Sequence, residues 1–196
     1  MFSSLLLLAA LPAFGPPPQA TIPTDSIDQI LFAPLFERHA ACVEHRAGDG
    51  LPFAGDALGT DCMPVAAPGE DGVGFARLYR TDGKSNEDWI GWKAKVHSPV
   101  DGTVVGALVN PVVNQPGATG RPPATTLQIV MADGTMVTLS HLGTVLVKRG
   151  DPVVRGQVLG EVGNNGFGRA PHIHAGAWRG TTPLQIRWDL TATVKD

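Results

Sequence analysis

The sequence contains only two cysteines, no run of Lys or Arg, and no long apolar segment after its first residues. The scattered basic residues and a net charge of -3 exclude an electrostatic nucleic-acid footprint and a polybasic membrane patch. Without a later apolar stretch of about 20 residues, no transmembrane helix is expected. Charged residues are few, at 17%, but 43% of the chain is hydrophobic, so the composition is globular rather than disordered. No fixed-period repeat is present. What the chain has in plenty is Gly (24) and Pro (17), which favours frequent turns and short strands over long helices.

The opening MFSSLLLLAALPAFGPPPQA carries an apolar run too short to span a bilayer, followed by small residues. This is the pattern of a signal peptide cut between Ala13 and Ala20, so export to a periplasm or the exterior is expected, with no membrane anchor afterwards. In an exported chain the even cysteine count makes Cys42 and Cys62 a disulfide candidate. The expected organisation is a signal at 1–20, a helical and loop region at 21–74, a β domain at 75–190 and a tail at 191–196.

Ile27, Ile30, Leu31, Leu35, Phe36, Ala40 and Val43 recur at near-helical spacing, interrupted by Pro34, which predicts two short N-terminal helices or one kinked helix. From Phe75 the pattern turns to strands: FARLYR, KAKVHSPV, GTVVGALV, TTLQIVMA, TMVTLSHL, QVLGEVG, PHIHAGAW and LQIRWDL. Asp133-Gly134 marks a tight hairpin between two of them. The fold class is therefore mainly β, an antiparallel sheet or sandwich with a substrate groove. The loops at 109–124 and 164–168 are its expected walls.

His172 and His174 lie two apart on a strand, so they project from one face about 7 Å apart along it. His141 ends a strand in Ser140-His141-Leu142. Asp88 lies in Asn86-Glu87-Asp88-Trp89, ahead of SPVDGTVV. His39 and His45 flank Cys42; on a helix they would diverge, so both are expected at the surface, as is His97.

In order, NEDW, SPVDGTVV, MADGTMVTLSHL, GDPVVRGQVLGEVGNNG and PHIH resemble the core of the lysostaphin/LytM-type zinc metallopeptidases over about half the chain. The resemblance implies one zinc ion held by Asp88 and His174, with His141 and His172 as catalytic histidines beside it. Peptidoglycan peptides are the implied substrate. The family's first His ligand falls at Lys84, whose ammonium has no lone pair for a metal. Asp82, Asn86 and Glu87 offer oxygens in its place, and an Asp82/Asp88/His174 set is the expected substitute. Loss of that ligand also implies an alternative: a non-catalytic domain that binds cell wall or activates another cell-wall hydrolase. Retention of all three histidines favours the enzyme.

Overall fold

The computed structural model describes residues 10–47, 49–67, 69–70 and 74–194. The first nine residues of the expected signal, the end of the tail at 195–196, and Gly48, Pro68 and 71–73 lie outside the described residues.

Among the described residues the strands are β1 (Gln29–Phe32), β2 (Ala40–Glu44), β3 (Thr60–Pro64), β4 (Lys95–His97), β5 (Gly102–Leu108), β6 (Thr126–Val130), β7 (Met136–Ser140), β8 (Leu142–Val145), β9 (Pro152–Val153), β10 (Val158–Val162), β11 (Ile173–Arg179), β12 (Thr182–Pro183) and β13 (Gln185–Trp188). One 3-10 turn spans Asn86–Asp88. The main sheet runs β2-β3-β11-β7-β6-β5-β9, with β12 paired to β11, and every pairing in it is antiparallel. A smaller sheet runs β4-β10-β8, and β1 pairs β13 in parallel.

The expected N-terminal helices are not formed. Residues 27–43 contribute β1 and β2 instead, separated by bends around Pro34. The apolar positions that suggested a helix serve two separate ends: Phe32, Leu35 and Phe36 enter the core, while all five residues of β2 stay exposed as an edge strand. Pro34 removes a backbone donor in the middle of the run, and two ladders satisfy the backbone that one helix could not. FARLYR likewise forms bends with isolated bridges at Arg77 and Tyr79 rather than a strand.

One cluster forms the core. Val104, Leu127, Ile129, Val137, Leu139, Ile173 and Ala175 come from the inner face of the main sheet, and Val96, Leu142, Leu159 and Val162 from the smaller one. Alternation along each strand sends the other residues outward. In register they make a polar face: Gln128 opposite Thr138, Thr126 opposite Ser140, and His174 opposite both Ser140 and Asp61.

Two segments cross this polar face. The amide of Gln128 donates to the Gly15 carbonyl at 2.7 Å, and Phe14 lies where a side chain on Gly106 would be. The 53–58 turn packs over β11, with the Gly55 carbonyl occupying the space of a Gly176 Cβ. Gly176 is thus required by close approach. Gly176→Ala should destabilise the fold by about 1–3 kcal/mol through this clash, read as a lower urea midpoint with an unchanged slope.

Candidate metal and catalytic site

Asp61 and His174 face each other across the β3–β11 ladder. His45 follows the last residue of β2, where its N–H donates to the Gly59 carbonyl at 2.8 Å. Its ring stacks on that of His174, with centroids 5.2 Å apart. The Asp61 carboxylate bridges the two rings: Oδ1 is 3.0 Å from His174 Nδ1 and Oδ2 is 3.3 Å from His45 Nε2.

The outer nitrogens are held by one turn. His174 Nε2 is 3.0 Å from the Gly55 carbonyl and 3.1 Å from Asp56 Oδ1, and His45 Nδ1 is 2.9 Å from the Asp56 carbonyl. A carbonyl accepts and cannot donate, so each ring presents N–H to the turn and directs its other nitrogen at Asp61. One nitrogen of each ring and an Asp61 oxygen lie within 4.8 Å of one another. Two imidazoles and one carboxylate, each imidazole oriented from behind, fit a zinc site that keeps a position open.

The charges respond accordingly. Burial pushes the His174 pKa down, but hydrogen bonds to Asp56 and Asp61 outweigh it and raise the value to about 10. Asp61's hydrogen bond raises His45 against a smaller burial effect. Burial pushes Asp61 up, yet the two imidazoles hold its carboxyl far below the usual carboxylate range.

A second pair of rings stands beside this group. Ser140 ends β7 in the main sheet and Leu142 begins β8 in the smaller one, so His141 is the corner between sheets. It takes φ 67°, a left-handed conformation uncommon outside glycine. Its ring lies 4.3 Å from that of His172. Both Nδ1 atoms donate to backbone carbonyls, of Asn165 at 2.8 Å and of Ala170 at 2.7 Å, leaving Nε2 of each for chemistry. Burial, reinforced by His172, lowers His141 to about 3, so it is neutral at physiological pH.

The loops are tied by buried amides. Asn165 donates to the Leu142 carbonyl and accepts from the Thr125 N–H. Asn114 donates to the carbonyls of Gly166 and Gly168, joining the 109–124 loop to the 164–168 loop. Asn164 reaches Asn86 at 2.8 Å, and Asn86 reaches the Asn114 carbonyl at 2.8 Å. The 86–88 turn therefore supports the loops.

The expected site residues separate into two groups. His141, His172 and His174 are together. Asp88 is not among the side chains gathered around His174: it accepts the N–H groups of Thr81 at 2.7 Å and Gly83 at 2.5 Å and so closes its own loop. Asp82 pairs with the exposed Lys84 at 2.8 Å. The carboxylate facing His174 is Asp61, and the additional histidine is His45, which the helical reading had placed at the surface. His97 is fully buried with Nδ1 3.2 Å from the Leu35 carbonyl, not exposed. Cys42 and Cys62 are bonded to each other.

A family model described as peptidase family M23 matches residues 90–186, which includes His141, His172 and His174 but neither His45 nor Asp61. No curated protein matches the sequence. Similar solved structures include the SpoIIQ-SpoIIIAH pore-forming complex (17% identity over 81% of this chain and 89% of that one, TM-score 0.50). A zinc-containing peptidase from Vibrio cholerae is 19% identical over 76% of this chain, with a TM-score of 0.43. The catalytic domain of the antimicrobial peptidase lysostaphin from Staphylococcus simulans is 17% identical over 76% of this chain and 88% of that one, with a TM-score of 0.40. At these identities the likeness is one of fold, and the chain spans 38% of the Vibrio protein's length.

The protonation pattern sets the pH dependence of the metal-free protein. With its pKa raised from 6.5 to about 10, His174 contributes stability that is full below pH 6.5 and lost as pH climbs to about 10. Asp61 acts in the opposite sense, contributing above its ordinary 3.8 and progressively less as pH falls below it. Urea unfolding in chelator should show stability declining on both sides of that window, and His174→Gln should flatten the alkaline limb.

Proposed function

Because this chain belongs to peptidase family M23, we propose that it is an exported zinc metallo-endopeptidase cleaving peptide bonds of peptidoglycan, its metal held by His45, Asp61 and His174. The observation that carries this reading is the convergence of those three side chains beside the His141–His172 pair.

When bound, zinc supplies Lewis acidity toward a peptide carbonyl and lowers the pKa of a coordinated water. The protein's own groups do the rest. Neutral His141, its Nδ1–H fixed on Asn165, keeps Nε2 unprotonated as a hydrogen-bond acceptor. His172, fixed in the same way on Ala170, is the partner suited to carry a proton to the leaving amine or to steady an oxyanion. Along β11 the 164–168 loop lies against His172 and the 53–58 turn covers Gly176, so His174 stands between them. The half-buried hydroxyls of Thr126 and Ser140, 2.9 Å apart, lie on the same face and suit an extended peptide backbone.

A second reading is a non-catalytic M23-like domain that binds cell wall or activates another cell-wall hydrolase. It draws on the two carboxylates that satisfy both nitrogens of His174, an arrangement complete in charge without a cation.

Purified protein should hold about one equivalent of zinc and digest isolated cell walls in a chelator-sensitive manner. His45→Ala and Asp61→Ala should abolish both properties, and Asp88→Ala should keep both. His141→Ala should bind zinc normally while kcat falls by about 100- to 10,000-fold. Wall binding that survives chelator, without cleavage or stoichiometric metal, would replace this reading by the second.

A further inference from the structure

His45 and Asp61 reach His174 from different strands, so their meeting depends on how β2 is seated on β3. That seating is weakly specified by packing. β2 is the outermost strand of its sheet, pairs only β3 within that sheet, and has no buried residue. Its Val43 is 59% exposed. Register is normally fixed by the cost of turning a hydrophobic face to water, and this strand has no such face. A slip of one residue would carry His45 away from the Gly59 carbonyl and from Asp61.

What fixes the register is covalent. Cys42 and Cys62 are direct cross-strand partners and are disulfide-bonded. Cys62 is the residue after Asp61 and points into the core, while Asp61 points to the polar face. Cys42 lies three residues before His45. The bond thus clamps the two ligand-bearing segments from behind, on the side of the sheet opposite the metal face. Cys42 is exposed on the wall of an open cavity of about 810 Å³, so a reductant in solution can reach it.

We propose that the Cys42–Cys62 disulfide is a working part of the metal site: by locking β2 onto β3 it holds His45 against Asp61 and His174, so that tight binding of a divalent cation requires the oxidised pair. This rests on the reading that His45, Asp61 and His174 are the ligands. Cys42 and Cys62 act as positioning residues and do not touch the cation. Disulfides persist in oxidising compartments, so the site is competent outside the cytosol and weakened within it.

The test compares parent, His45→Ala and the Cys42→Ala/Cys62→Ala double variant, all full length. Zinc affinity is measured by competition with a chelating dye, and Co²⁺ spectra report ligand number. The expected result is a double variant that remains folded by near-ultraviolet circular dichroism but binds zinc about tenfold or more weakly, with a Co²⁺ band shifted toward that of His45→Ala. A folded double variant with parental affinity and spectrum, beside a weakened His45→Ala, overturns the proposal and leaves the ligand assignment standing. Parental affinity in His45→Ala overturns the ligand assignment itself.

If the double variant does not fold, the zinc-loaded parent is treated with a water-soluble phosphine. The S–S bond breaks, water's two protons go to the sulfurs, and its oxygen goes to phosphorus, which is oxidised to the phosphine oxide. Zinc loss from a domain that stays folded supports the proposal; zinc retention, or loss only on global unfolding, overturns it.

Discussion

The cross-strand pair of Asp61 and His174 is the constraint around which the polar face is organised. A carboxylate opposite an imidazole on neighbouring antiparallel strands is a local arrangement that the backbone ladder alone produces. Every other group at the site is placed relative to it. His45 stacks on the imidazole and shares the carboxylate, and the 53–58 turn closes the outer side. Its glycine sits on β11 only because Gly176 gives it room. The half-buried, ionised carboxylate is tolerable because two imidazoles answer it.

The same pair explains how one sheet supports two kinds of histidine. His174 is drawn toward the charged form by acidic neighbours, while His141, only a corner away, is kept neutral by burial and by His172. Environments that push like groups apart let a single residue type stand charged in one place and neutral in another. The distinction is built from backbone: Gly55 and Asp56 carbonyls set one pair of rings, and Asn165 and Ala170 carbonyls set the other.

Much of this was legible in the sequence. The strand runs after His97, the Asp133-Gly134 hairpin and the His172/His174 alternation depend on local pattern, and they reappear as β5, β6, β7, β10, β11 and β13, whereas the short β8, β9 and β12 form largely outside those runs. The corner at His141 was legible as a strand end, though not as a change of sheet. The N-terminal third was not. Its apolar spacing fitted a helix locally, and only pairing with β3 and β13, distant in sequence, decided for strands. Asp88 lies ahead of SPVDGTVV in the motif order that the family resemblance implies for a ligand, but a 3-10 turn folds its carboxylate back on its own loop. Asp61 carried no such flag. The available signal was the cysteine pair: if Cys42 and Cys62 join two antiparallel strands, His45 and Asp61 must lie near each other.

The strap at residues 14–18 carries one further consequence. Phe14 and the Gly15 carbonyl rest on Gly106 and Gln128, on the same side of the sheet as His174, at positions that fall within the predicted leader. Were the chain trimmed within that expected leader, the position of the cut would set how much of this face stays covered. A cut before Phe14 would leave Gly106 and Gln128 covered, and a cut after Pro18 would bare both while the 53–58 turn still covers Gly176.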